Sequence, residues 1–357
     1  MSATLRHQVG QLIIAGLEGT ELTTLERAWL KIVRPCGIIL FRRNIEEADQ
    51  TFELLREVTD ITGGPAFRCV DLEGGLVDRL RDLIAPMPSP AAVFATGKQS
   101  TFKKHGSLIG KEARALGFNT VFAPVLDLAL PASSDVMRTR AVSADPADVV
   151  TYAKAFLEGL GAQNVIGCGK HFPGLGGGTL DSHHALPVIE RPFEMMWRED
   201  IAPFRKLRTQ LPMVMVAHAS YPQASGDRTP ASISSFWITK ILRKKLHYQG
   251  LIISDDMEMG GILTQRSVEE AAIESIAAGI DILEICRDPS LVLRAYEALL
   301  SEAEHSPFFR QAVRRAERRI GSFKRRHSIS IRSMPSRPRR KLLEKLALDI
   351  QKISPKK

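Results

Sequence analysis

Eight short apolar runs punctuate the chain, at 11–17, 37–41, 67–72, 120–126, 165–172, 213–218, 251–256 and 280–286. Most are too short for helices and are rich in Val and Ile, the pattern of strands buried on both faces. Between them lie longer stretches in which apolar residues recur at helical spacing: 46–59, 102–116, 147–160, 193–207, 238–246 and 267–278. Strand alternating with helix implies a parallel sheet. Eight such units in a chain of this length predict a closed (β/α)8 barrel of the TIM type, with a doubly wound open sheet as the competing arrangement.

The polar residues favour closure. The third run ends at Asp71 and Glu73, the fourth at Asp127, the fifth delivers Lys170 and His171, the sixth ends at His218, and the seventh at Ser254, Asp255 and Asp256. A barrel builds its active site from side chains at the C-terminal ends of its strands. A purely structural protein gains nothing from desolvating so many charges there.

Charge separates the chain into two parts. Residues 324–357 hold 12 Lys and Arg against 2 Asp and Glu, which leaves 37 basic and 38 acidic residues elsewhere. The basicity therefore belongs to the tail, and a nucleic-acid footprint over a folded face is not expected. The barrel domain is expected over 1–326 and a Ser/Arg/Pro-rich tail over 327–357, with a short amphipathic helix at 341–353 that is solvated or loosely docked. Its Leu342, Leu343, Leu346, Ile350 and Ile353 share one side. The four cysteines form no CxxC pair and read as buried thiols. The first 19 residues lack the pattern of a secretory signal, and no stretch reaches the roughly 20 apolar residues of a membrane span, so a cytoplasmic location is expected.

Three stretches carry chemistry. In Lys170-His171-Phe172-Pro173-Gly174-Leu175-Gly176-Gly177-Gly178-Thr179-Leu180-Asp181-Ser182-His183 a strand ends in a cation and an imidazole, then enters a glycine-rich loop closing on Asp-x-His. A carboxylate beside an imidazole suits a group that donates a proton and later takes one back. In Ser254-Asp255-Asp256 two carboxylates leave an apolar strand. One is expected to face the mouth and the other sideways, and helix capping with a metal site is the competing reading. In Asp71-Leu72-Glu73-Gly74-Gly75-Leu76-Val77-Asp78-Arg79 an acid and a base stand where sugar hydroxyls or a structural ion pair would use them.

Together these stretches resemble glycoside hydrolase family 3, in its bacterial β-N-acetylglucosaminidase branch. The branch patterns DxEGGxVxR, VIGxRxF and KHFPGHGxxxxDSH and a Ser/Thr-Asp strand end correspond to 71–79, 136–142, 170–183 and 254–255. The resemblance implies a retaining β-N-acetylhexosaminidase acting on cell-wall fragments, with Asp255 the nucleophile and His183 the acid/base paired with Asp181. It implies Asp71, Arg79, Arg140, Lys170 and His171 as ligands of the terminal sugar, and no metal or organic cofactor. Leu72, Leu76, Leu175, Gly177 and Gly178 depart from the pattern. Three rival readings are a metal-dependent amidohydrolase, a phosphorylase of the same family and a non-catalytic sugar-binding barrel. The amidohydrolase would need an HxH on the first strand, which 11–17 lacks.

Overall fold

The computed structural model describes residues 4–64, 66–179, 185–328 and 334–354. Eight parallel strands close into a barrel: β1 (Ile13–Ala15), β2 (Gly37–Leu40), β3 (Phe67–Val70), β6 (Thr120–Val121), β7 (Ile166–Phe172), β8 (Met213–Val216), β9 (Leu251–Asp256) and β10 (Ile282–Ile285). β1 pairs with both β2 and β10, which completes the ring. Each of the eight apolar runs carries one of these strands, and helices occupy the outside, as the alternation requires. A two-stranded hairpin, β4 (Leu72–Gly74) with β5 (Val77–Asp78), follows β3 and lies apart from the barrel sheet. Its turn needs glycine at Gly74, where φ is +92° and a Cβ would come within 2.2 Å of the Pro88 carbonyl oxygen.

The ladder slips one residue at two places on the mouth side. Cys168, Gly169 and Phe172 of β7 pair with Met213, Val214 and Val216 of β8, so Lys170 and His171 fall in a bulge. Ile253 and Asp256 of β9 pair with Ile282 and Glu284 of β10, so Ser254 and Asp255 fall in another. A bulge interrupts the strict in-out alternation of a strand and re-aims its side chains. Ser254 repairs the second one, its hydroxyl accepting the Glu284 backbone N–H at 3.0 Å.

Several helices differ from the sequence expectation. The stretch 193–207 is two helices, Phe193–Arg198 and Ala202–Leu207. Asp200 interrupts them, buried and bound by Arg191 at 3.0 Å. A helix over Thr24–Val33 fills the interval between β1 and β2, opened by a reciprocal box in which Thr23 caps Glu26. The tail helix, Arg340–Gln351, packs on the barrel helix Gln99–Ala115, with Leu346, Ile350 and Ile353 buried and Leu342 exposed. It is docked rather than loose, and Leu342 lies off its buried side. All four cysteines are buried and free.

Glu112 is an expensive residue inside this shell. It is fully buried on the helix Gln99–Ala115, and neither carboxyl oxygen has a partner among the described residues. Burial, and then the nearby Asp78 charge, push its carboxyl well above the ordinary range. An acid raised in this way takes up a proton on folding. Its contribution is intact below the unfolded value and is lost as pH rises toward the folded one. Replacing Glu112 with methionine removes both the titration and the unpaired oxygens. Thermal melts should show Glu112→Met more stable than the wild type, by a larger margin at pH 8 than at pH 5. Equal margins at the two pH values would show that Glu112 does not titrate this way.

Candidate active site

A pocket opens at the C-terminal ends of the strands. Asp71, Glu73, Arg79, Arg140, Lys170, His171, Leu175, Asp255, Asp256 and Glu284 line it, with Phe41, Met215 and Met259 among its apolar neighbours. Six residues singled out in the sequence, Asp71, Arg79, Arg140, Lys170, His171 and Asp255, thus meet in one place. Asp181 and His183 lie outside the described residues.

The bulges explain how adjacent residues share this pocket. On a regular strand Lys170 and His171 would point to opposite faces, as would Asp255 and Asp256. Each pair sits at a register slip, and all four residues line the pocket. The two carboxylates are held differently: Asp255 Oδ1 accepts the backbone N–H of Asp256, and Asp256 Oδ1 that of Glu258, each at 3.0 Å.

Charges are tightly paired. Lys170 Nζ donates to Asp71 Oδ1 and Glu73 Oε1, each at 2.8 Å, and is 3% exposed. Arg140 holds Glu73 through both carboxylate oxygens, Nε to Oε2 and Nη2 to Oε1, each at 2.8 Å. Burial alone would raise the Glu73 carboxyl, but the Arg140 and Lys170 cations overcome it and hold the group well below its ordinary range. Asp71 follows the same logic, with Lys170 and then Arg79 outweighing burial. Burial would lower Lys170, yet Asp71 and Glu73 raise it, so it stays a cation. The Arg79 Nε is buried without a partner among the described residues.

His171 is oriented from below. Its Nδ1–H donates to Asp127 Oδ2 at 2.6 Å, and Asp127 also accepts the backbone N–H of His171 at 3.2 Å and of Leu175 at 2.7 Å. A carboxylate can only accept, which fixes the proton on Nδ1 and turns Nε2 toward the pocket, where Arg140 Nη2 stands 3.5 Å away. Glu73 and Asp127 were visible in the sequence as acids at strand ends, but not as the members that lock Lys170, Arg140 and His171 in place.

His218 and Glu258 are both committed elsewhere. His218 Nε2–H donates to the Asp256 carbonyl at 3.0 Å and Nδ1 accepts from the Ser232 hydroxyl at 2.7 Å; burial lowers its pKa. Glu258 Oε1 accepts the backbone N–H groups of Arg287 and Asp288 at 2.5 and 2.9 Å. Asp255 differs: among the described residues its side chain accepts only the backbone N–H of Asp256, at 3.0 Å to Oδ1. Burial pushes the Asp256 carboxyl up to about 7.

The arrangement offers hydrogen-bond donors and acceptors around a half-buried carboxylate, the equipment for gripping a polyhydroxylated ring. The N-terminal domain of glycosyl hydrolase family 3 matches residues 4–322. The chain belongs to this family. A β-hexosaminidase of Idiomarina loihiensis is 36% identical over 300 residues, covering 83% of this chain and 89% of that protein. Among solved structures of the family, a β-N-acetylglucosaminidase from Paenibacillus sp. FPU-7 superposes with a TM-score of 0.91 at 30% identity, over 99% of this chain and 69% of that one. The β-N-acetylhexosaminidase of Beutenbergia cavernae does so with 0.84 at 26% identity, over 90% and 99%. Against the family pattern Leu175 is the departure that reaches the pocket, where it is 8% exposed. Among the described residues no helix is long and apolar enough to cross a membrane.

Proposed function

We propose that this chain is a retaining β-N-acetylhexosaminidase that removes terminal, non-reducing β-linked N-acetylglucosamine. The observation that carries the reading is the convergence of Asp255 with Asp71, Arg79, Arg140, Lys170 and His171 on one pocket. The names borne by its relatives support the choice of sugar. Muropeptide fragments as natural substrate and the cytoplasm as compartment extend the reading, supported by the family resemblance.

In the first step an Asp255 carboxylate oxygen bonds to the anomeric carbon as that carbon's bond to the leaving oxygen breaks. His183 gives its proton to the leaving group. In the second step water attacks the anomeric carbon, His183 takes the water's proton, and Asp255 leaves with its electron pair. Asp181 holds the imidazole for both transfers. The commitment of both His218 nitrogens and of Glu258 Oε1 to other partners favours a separate acid/base over either residue.

The test is turnover of 4-nitrophenyl N-acetyl-β-glucosaminide against the plain β-glucoside, with and without phosphate. The N-acetyl substrate should be preferred, and free sugar should form at the same rate without phosphate. A preference for the glucoside, a requirement for phosphate, or binding without turnover would each overturn the reading. With the same assay, His183→Ala should spare dinitrophenyl leaving groups far more than natural disaccharides, and azide should partly restore its turnover. Equal losses on both substrates without azide rescue would remove His183 from the mechanism.

A further inference from the structure

Glu284 has no place in the mechanism above, yet it lines the same pocket at the end of β10. It is 3% exposed. Its Oε1 accepts the Cys286 thiol at 3.0 Å, and its Oε2 has no partner among the described residues. A buried carboxyl oxygen without a partner is costly if the group is ionised and calls for an explanation.

The charged groups that act on it most strongly are acidic. Asp71 faces it from the end of β3, Asp255 and Asp256 from β9, and Cys286 from its own strand. Cys69 and Cys168 couple to it from β3 and β7. The β1 residue opposite is the apolar Ile14. The pocket's cations are engaged elsewhere. Lys170 binds Asp71 and Glu73, and Arg140 binds Glu73. Arg79 acts on Asp71, and Arg43 donates to the backbone carbonyls of Leu17 and Cys286. Burial first, and then Asp71 and Asp256, push the Glu284 carboxyl well above its ordinary range. The register slip between β9 and β10 sets Glu284 opposite Asp256, next to Asp255.

We propose that Glu284 is a positioning residue that works as a neutral acid, its carboxyl proton serving as an uncharged hydrogen-bond donor at the pocket floor beside Asp255. As a donor it complements the neighbouring carboxylates and the hydroxyls of a bound sugar. When ionised it adds a negative charge next to Asp255 and the bound ring, and the site loses activity. This rests on the pocket being the sugar site proposed above.

The experiment compares Glu284→Gln and Glu284→Leu with the wild type in pH profiles of kcat/KM, alongside thermal melts. Glutamine keeps an uncharged donor, so Glu284→Gln should stay close to wild-type activity at neutral pH and lack the alkaline decline. Leucine has no donor, and Glu284→Leu should lose about 10- to 100-fold in kcat/KM while melting like the wild type. Because Asp256 also titrates, Asp256→Asn is the control, and it should retain the alkaline decline. Equal activity of the Gln and Leu variants, or an alkaline decline that persists in Glu284→Gln, would overturn the proposal. Infrared difference spectra supply a readout independent of turnover. The wild type at neutral pH should show the carbonyl stretch of a protonated carboxyl that Glu284→Gln lacks, and absence of that band would also overturn it. A wild type that carries the band but cleaves no glycoside would instead count against the function proposed for the pocket.

Discussion

Replacing Asp255 by alanine is expected to lower turnover of an N-acetyl-β-glucosaminide by about 10³-fold or more while leaving the melting temperature near that of the wild type. The first half follows from chemistry. If Asp255 forms the bond to the anomeric carbon, alanine deletes the covalent step and leaves only binding and electrostatic help. The second half follows from geometry. Among the described residues Asp255 makes no ion pair, and its side chain hydrogen-bonds only to the backbone of the next residue. Lys170 and Arg140, whose charges would be costly to strand, are held by Asp71 and Glu73 instead. Asp256 is the natural competitor for the role, since it lines the same pocket. Its carboxyl, pushed up to about 7, is substantially protonated at neutral pH, and its Oδ1 is tied to the Glu258 backbone N–H at 3.0 Å. Steady-state turnover with a melt of the same preparation checks both halves. Residual activity above about 1% of the wild type, less than the loss expected of a missing nucleophile, would transfer the role to Asp256.

The barrel was legible because its strands are buried on both faces, which writes each as an uninterrupted apolar run. Strand ends were legible too, because a polar residue closing such a run has a single sensible direction. The register between strands was not. Whether Asp255 and Asp256 diverge or share a pocket depends on how β9 slides against β10, a property of two segments together that neither spells out. The same holds for Lys170 and His171 between β7 and β8. Glu284 was hidden differently. It sits inside the run Ile282-Leu283-Glu284-Ile285, where surrounding hydrophobicity reads as strand and draws attention from the lone acid. An acid in the middle of a two-face-buried strand is itself the signal, since nothing but a site or a partner repays its burial. The helix Thr24–Val33 has a clear start signal in the Thr23 and Glu26 capping box, which the pattern of apolar runs alone does not show.

The largest structural effect is expected at Glu73. It is 1% exposed and binds Lys170 and, through both oxygens, Arg140. Replacing it with alanine leaves Arg140 without its carboxylate and Lys170 with Asp71 alone. Removing one partner of a buried charge network costs about 3–5 kcal/mol, because the charges left behind stay desolvated. For a domain of this size that lowers the melting temperature by roughly 4–7 °C. The loss should depend on pH with a definite sign. Glu73 is held well below the ordinary carboxyl range, so its stabilisation is fully present above the unfolded value of 4.5 and fades as pH falls toward the depressed folded value. The gap between wild type and Glu73→Ala should therefore be widest near neutrality and narrow in acid, measured by denaturant unfolding at several pH values. Activity should fall as well, through KM, because Lys170 and Arg140 lose the anchor that aims them at the pocket. Asp255→Ala and Glu73→Ala thus separate the two duties proposed for the site's carboxylates, one reacting and the other holding cations. A Glu73→Ala protein that melts within about 1 °C of the wild type, a shift of less than about 1 kcal/mol, would show that Arg140 and Lys170 find water or other partners and that the network is not what holds them.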